Sequence, residues 1–297
     1  MRALLLALPL LLANTAAEDP VIPPTIKSML DAAMQSGSEG DVAVIVKYAR
    51  NADPASADLV VKTATDWRND RLAQANKKIR EADFFDLVKG RAELGGYMST
   101  GNTENVGLTA AIEVKREALE WRHKLRLQAD YQESLGLVTR ERYLAAYEPN
   151  WKFDDRAYMY GAAQYESDRF SGFYDRVSLS SGAGYSAIKS PKVKLDLELG
   201  PAYRLTRFID DKTESNLAAR GSMDFGLKLS PSISVTQNAS AYLQDANSTV
   251  SSRSALLAKL FGPFSAQFSY TLQYESTPPI GRQTTDTTSR AALVVDF

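Results

Sequence analysis

From about residue 91 to the end, this chain alternates between apolar and polar side chains in segment after segment. The clearest stretch runs from Val193 to Leu205. Val193, Leu195, Leu197, Leu199, Pro201, Tyr203 and Leu205 fall at one parity, and Lys194, Asp196, Glu198, Gly200, Ala202 and Arg204 at the other. A helix would scatter these two sets around its axis. A strand throws successive side chains to opposite faces and keeps them apart. Phe264, Ala266, Phe268, Tyr270, Leu272 and Tyr274 alternate with polar residues in the same way, as do Trp121, His123, Leu125, Leu127, Ala129 and Tyr131. In each segment one face suits lipid and the other suits water.

Read throughout in this way, the chain predicts about twelve strands of the length a tilted membrane strand needs. They fall near 91–100, 106–116, 120–132, 140–153, 156–168, 175–187, 193–207, 215–229, 232–244, 250–261, 264–275 and 284–297. Tight turns are expected at Asp154-Asp155, Ser190-Pro191, Ser230-Pro231 and Gly262-Pro263. The alternate links, near 133–139, 169–174, 208–214, 245–249 and 276–283, are expected to be longer; Gly101-Asn102-Thr103 is a short exception. Long and short links in alternation are the pattern of an outer-membrane barrel. Trp121, Trp151, Phe153, Phe170, Phe173, Tyr174, Phe261 and Phe264 cluster near strand ends, where rings suit a membrane–water interface. A soluble sandwich rarely has so many long strands with charge so regularly on one face. The expected fold class is therefore all-β: an antiparallel up-and-down transmembrane β-barrel of about twelve strands, preceded by a short α-helical periplasmic segment.

Composition excludes more than it suggests. The 297 residues are 44% hydrophobic and 24% charged, a soluble-looking average that a barrel also shows, because only alternate residues meet lipid. A net charge of −1 makes no electrostatic case for nucleic acid as a partner. There is no cysteine and a single histidine, His123, so disulfides, thiolate chemistry and polyhistidine metal sites are excluded. No cofactor, catalytic residue or metal site is expected.

At the N-terminus Arg2 precedes an apolar run, Ala3 to Ala13, and small residues Thr15, Ala16 and Ala17. This reads as a signal peptide over 1–17. The run is too short to cross a bilayer as a helix. Residues 18–90 carry helical signals. Ser38-Glu-Gly-Asp41 reads as one helix start, and Asp53-Pro54 as another, with Asp as N-cap and Pro in the first turn. Two or three short helices fit, either as a partner-binding unit in the periplasm or as a loosely ordered spacer. Residues 91–297 form the expected barrel. The chain ends on Leu293, Val295 and Phe297 at one parity, a candidate signal for the barrel-assembly machinery.

Leu94-Gly-Gly-Tyr-Met-Ser-Thr-Gly-Asn-Thr-Glu104 resembles the opening motif of the domain-of-unknown-function 481 family, whose members carry the label of salt-induced outer-membrane proteins. Trp121-Arg-His123, Tyr165–Phe170, Gly182-Ala-Gly-Tyr185, Leu199-Gly-Pro-Ala-Tyr203 and Phe297 add to the resemblance, which covers about 91–297. It implies an outer-membrane barrel and supplies no reaction or ligand.

The inward parity collects the candidate lumen-lining residues: Arg122, Lys124, Arg126, Asp130, Arg142, Glu148, Arg176, Asp196, Glu198, Arg204, Arg220, Asp224, Arg253, Glu275 and Arg290. They either line a narrow water-filled pore or pair across the interior and close it. A slight cationic excess favours anions if the pore is open. The carboxylates of Asp168–Tyr174 and of Asp210-Asp211 are expected in extracellular loops, as solvated groups or weak cation ligands. The expected function is a narrow channel or passive envelope protein. The alternatives are a membrane-anchored scaffold whose periplasmic helices bind a partner and, third, a lipid hydrolase. The hydrolase needs His123 beside a serine, and His123 is placed outward at the periplasmic end with no serine motif near it. Expected partners are outer-membrane lipid and lipopolysaccharide, the barrel-assembly machinery, and a periplasmic protein met through 21–90.

Overall fold

The computed structural model describes residues 21–100, 105–134, 137–245, 247–278, 281 and 283–297. The expected signal peptide at 1–17 and the Gly101-Asn102-Thr103 link lie outside these residues. The chain forms two compact units, one ending at Lys78 and the other covering Ile79–Phe297.

The first unit is helical, with α1 (Pro24–Ser36), α2 (Glu39–Ala52) and α3 (Ala57–Glu81). Gly37, in the left-handed conformation at φ 73°, ends α1. Ser38 then starts α2, its Oγ accepting a hydrogen bond from the Asp41 N–H at 3.2 Å. The expected start at Asp53-Pro54 is corrected: α3 begins at Ala57. Asp53 instead finishes α2, its N–H bonding the Ala49 carbonyl at 2.9 Å. Its carboxylate is taken up by the Ser56 hydroxyl at 2.6 Å, so the acid that capped a helix on paper anchors the turn between two helices. Leu30, Val42 and Val60 are almost fully buried, with Ile45 and Trp67 packed against them. A loosely ordered spacer would have no such core.

The second unit is a closed barrel of twelve strands. They are β1 (Val88–Thr100), β2 (Asn105–Glu117), β3 (Trp121–Ser134), β4 (Leu137–Lys152), β5 (Ala157–Asp168), β6 (Phe173–Lys189), β7 (Val193–Phe208), β8 (Thr213–Lys228), β9 (Ile233–Leu243), β10 (Thr249–Phe261), β11 (Phe264–Glu275) and β12 (Thr285–Asp296). Each pairs antiparallel with its chain neighbours, and β1 pairs with β12 from Arg91↔Asp296 to Thr100↔Thr287. The seam is finished by two backbone hydrogen bonds between Gly90 and Phe297, at 2.7 and 2.9 Å. No sheet edge is left open, as a hydrocarbon surround requires.

The barrel is apolar outside. Leu94, Leu108, Leu179, Leu199, Leu217, Phe268 and Leu293 are all exposed on its wall, while no Leu, Ile or Met of the described strands is buried. Trp121, Trp151, Phe153 and Phe261 are exposed near strand ends. Phe173 departs from that belt. It is buried and lies under the Arg176 guanidinium, 4.1 Å from its ring centre, because the register shift between Phe173 and Asp175 turns it inward.

The expected alternation of long and short links is weak in the structure. The 209–212 link is no longer than the 153–156 turn, and β3 and β4 run to within two residues of each other. Residues 133–134, 137–139, 208 and 213–214, assigned to loops, are strand residues instead. Once a strand leaves hydrocarbon its sequence is free to be polar, so composition no longer separates strand from loop there.

Two central strands approach unusually closely. Pro201 has no N–H to offer, and the β6–β7 pairing lapses between Ser180↔Ala202 and Ala183↔Leu199. Gly182 and Gly200 face each other in that gap, and a Cβ on either would strike the opposite backbone. Gly182→Val is expected to destabilise the barrel by about 1–3 kcal/mol. Gly226→Ala, where nothing lies within 4 Å, should stay within about 0.5 kcal/mol of the wild type. Urea unfolding followed by circular dichroism in detergent micelles compares the two.

Candidate functional site: the barrel lumen

Because strand parity sends charge inward, the lumen is where chemistry concentrates. Two ion-pair systems cross it at different heights. At the end where β1 begins and β12 finishes, Lys124 on β3 reaches Asp224 on β8 at 3.0 Å and Glu148 on β4 at 2.8 Å. Arg122 reaches Asp196 on β7 at 3.1 Å. Arg220 on β8 binds Glu198 at 2.9 Å and Glu148 at 3.6 Å. Tyr158 and Ser222 donate to the same Glu198 carboxylate, at 3.1 and 2.7 Å. β3 and β8 are five strands apart in a ring of twelve, so the Lys124–Asp224 contact runs close to a diameter.

Towards the other end, Arg176 on β6 meets Glu275 on β11 at 3.0 Å, again five strands apart. Arg290 on β12 meets Asp130 on β3 at 2.8 Å, Arg142 meets Glu166 at 3.1 Å, and Arg140 meets Asp168 at 3.4 Å. Asp130, Asp168 and Arg176 are at most 3% exposed, so this is a dry layer and not a solvated rim. Between the two systems Arg126 pairs with Glu113 at 2.8 Å and Arg253 with Glu93 at 3.1 Å. Arg204 differs. It donates to the hydroxyls of Ser178 and Thr249, at 3.2 and 2.8 Å, and stacks on Tyr242 with 4.1 Å to the ring centre.

Alongside the near system and up to the far one lies a cavity of about 960 Å³. Lys89, Gly90, Lys115, Asp296 and Phe297 line it at the β1 end, and Arg142, Glu166, Tyr242, Gln273 and Arg290 line its inner part. Arg176, Glu275, Asp130, Arg140 and Asp168 lie beyond that lining. The cavity is thus a vestibule reaching one rim of the barrel and ending on the far ion-pair layer. The chord from Lys124 to Asp224 borders it on one side. On the other side of that chord, Arg122 over Tyr158 and Arg220 over Tyr160 fill the lumen, with 4.7 and 4.9 Å from guanidinium to ring centre.

The Asp168 carboxylate belongs to this layer and not to an extracellular loop. It accepts from the Ser171 N–H at 3.0 Å and from the Ser171 hydroxyl at 2.8 Å, closing a 3-10 turn, while Arg140 neutralises it. Asp210 is exposed and paired with Lys212 at 2.8 Å. His123 sits on the outer wall, its Nδ1 2.9 Å from the Tyr147 hydroxyl, stacked between Trp121 and Tyr147. No group of three or more potential metal ligands occurs among the described residues.

Several lumen residues escaped sequence reasoning. Glu93, Glu113, Arg140 and Glu166 each supply one partner of an ion pair, and Tyr97, Tyr158, Tyr160 and Tyr242 supply the rings. β5 shows why. Tyr158 and Tyr160 on one face and Met159 and Gly161 on the other are all uncharged, so polarity does not say which face is inner. Counting parity back from Glu166 would have said it.

A closed antiparallel cylinder, charged within and apolar without, is a membrane-spanning β-barrel of the outer-membrane type. Within that class the family model described as "Protein of unknown function, DUF481" matches residues 92–297, and the chain belongs to that family. The Escherichia coli (strain K12) protein described as "Uncharacterized protein YdiY" is 25% identical over 191 residues, 64% of this chain and 75% of that relative. Among solved structures, the NanC porin gives a TM-score of 0.49 at 9% identity, covering 69% of this chain and 98% of its own. The translocator domain of the autotransporter NalP from Neisseria meningitidis gives 0.47 at 11%, covering 80% and 97%. The KdgM porin gives 0.41 at 10%, covering 70% and 99%.

The two kinds of ion pair should respond differently to mutation. Arg290→Ala strands the buried Asp130 charge and is expected to cost about 3–5 kcal/mol. Arg91→Ala, breaking the part-exposed 2.8 Å pair with Asp296, should cost less than about 1 kcal/mol. Urea unfolding of the folded barrel in detergent measures both.

Proposed function

We propose that this chain is a passive protein of the outer membrane, a narrow channel held shut at one level, with its helices in the periplasm and no catalytic step. One observation carries the reading: a wide polar vestibule ends on a dry layer of ion pairs. Small barrels fill their interiors with side chains, and large porins leave an open aqueous path. This lumen does each in part. Ion pairs are a closure that charge or field can rearrange, unlike an apolar plug. His123, stacked in the outer aromatic belt, has the role of an interface residue and not of a base. The same reading makes Leu293, Val295 and Phe297 the face by which assembly machinery receives the last strand, and makes lipid and lipopolysaccharide the surroundings of the wall. Salt induction is a property of the family label alone.

Planar-bilayer recording tests the channel. The wild type is expected to conduct weakly or in rare openings. A double variant, Arg176→Ala with Glu275→Ala, removes a near-diametric pair without stranding a charge and should raise conductance severalfold. If neither protein conducts at any salt concentration, the channel reading fails and a purely structural barrel remains.

A second reading is favoured by one feature of the helical unit. It has its own core, yet Met29, Val44 and Tyr48 stay exposed. This suits a scaffold that holds a periplasmic partner. Deleting 21–90 would then abolish a specific pull-down while conductance is kept; a chain that loses nothing on deletion is not an adaptor.

A further inference from the structure

Charge along the vestibule is not balanced. Its lining side chains include ten Lys or Arg and five Asp or Glu. Each of the five carboxylates is already held: Glu113 by Arg126, Glu148 and Asp224 by Lys124, Glu166 by Arg142, and Asp296 by Arg91. Of the ten cations, Lys115, Arg220, Arg253 and Arg290 are held by carboxylates outside the lining, Glu117, Glu198, Glu93 and Asp130, so among the described residues the unmatched positive charge falls on Lys89 and Arg204. A cavity of about 960 Å³ is at the upper end of the usual size for a small-molecule site, roughly 300–1,000 Å³.

Arg204 concentrates this excess. It lines the inner part of the cavity and is 3% exposed. Among the described residues its guanidinium has hydroxyl partners, Ser178 and Thr249, and no carboxylate within salt-bridge distance. Glu166 and Glu275 act on it only at longer range, because Arg142 and Arg176 hold them. Its charged neighbour Arg176 repels it. Burying an unmatched cation beside another is costly, and a buried charge is ordinarily neutralised by a partner. Every other buried arginine described here has a carboxylate from the protein itself. Stacking on Tyr242 fixes the plane of the guanidinium, and that planar fork matches the oxygens of a carboxylate or phosphate.

We propose that the vestibule is a binding site for a small, multiply charged oxyanion, with Arg204 at its inner end. The two unmatched cations, Lys89 and Arg204, call for more than one negative charge, and the hydroxyl and amide groups of Thr249, Ser251 and Gln273 on the same wall can bond further oxygens. A polycarboxylate and a phosphate share this chemistry. The site belongs to the barrel and does not require conduction, so it goes beyond the channel reading.

Isothermal titration calorimetry on the folded full chain in detergent, at low ionic strength, tests the site with citrate, pyrophosphate and glucose as probes. Citrate, pyrophosphate or both should bind at one per barrel, glucose should not, and rising salt should weaken binding. The stronger of the two anions identifies the carboxylate or phosphate source. Arg204→Gln should weaken it about tenfold or more. Arg207→Gln should leave it unchanged, since Arg207, three residues on at the opposite parity of β7, is exposed and pairs with Asp175. If Arg204→Gln does not fold, Arg204→Lys keeps the charge and loses the fork, and weaker binding is still expected. The proposal is overturned if neither anion binds the wild type, if glucose binds as tightly, or if Arg207→Gln loses as much affinity as the Arg204 variant. A barrel that binds without ever conducting removes the channel reading and leaves this one standing; conduction without binding does the reverse.

Discussion

Within hydrocarbon a backbone N–H or C=O finds no water, and each one left unpaired costs several kcal/mol. Among the described residues no helix is long and apolar enough to cross, and closure of a sheet on itself is the remaining solution. The β1–β12 seam supplies it, from Arg91↔Asp296 to Thr100↔Thr287, with Gly90 and Phe297 exchanging the last two hydrogen bonds. The rest of the structure follows from that closure. One parity of every strand must face lipid, and the other has nowhere to go but inward. Leucines such as Leu108 and Leu217 therefore lie exposed, and the buried side chains of the barrel are mostly arginines, carboxylates, hydroxyls and rings.

Charges confined in a narrow tube reorganise. Opposite signs meet across the lumen wherever side-chain length allows, as Lys124 and Asp224 do near one end and Arg176 and Glu275 near the other. Long arginines reach across, and their planes rest on Tyr158, Tyr160, Tyr242 and Phe173. The pairing does not consume every cation. Between the two layers the arginines outnumber their partners, which leaves Arg204 with hydroxyls alone. The same pairing that gathers charge into layers leaves the cavity with a buried guanidinium that no carboxylate matches among the described residues.

The strands themselves were legible because lipid on one side and water on the other impose a strict period of two. β7 and β11 show it most cleanly, and the twelve predicted strands match those observed within a few residues at each end. The helix start at Ser38 was legible too, since a serine ahead of an acidic first turn has one strong local use. Legibility failed where local patterns admit two uses. Asp53 reads as an N-cap and serves as a C-terminal anchor. The ends of the polar runs near 133–139 and 208–214 read as loops and extend strands. Asp168 reads as a solvated loop residue and is a buried cap.

By itself, the sequence determined that the chain closes into a barrel and which parity turns inward, because both follow from alternation, a property of neighbours. It also determined that the inner face carries charge of both signs. Only the tertiary structure decided which charges meet. Arg290 and Asp130 are 160 residues apart, as are Arg253 and Glu93, and nothing local links either pair. Pairing across a closed cylinder depends on strand register, side-chain reach and the order of strands around the ring, and none of these is written in a single segment. The vestibule, the layer that ends it and the unmatched Arg204 all arise at that level.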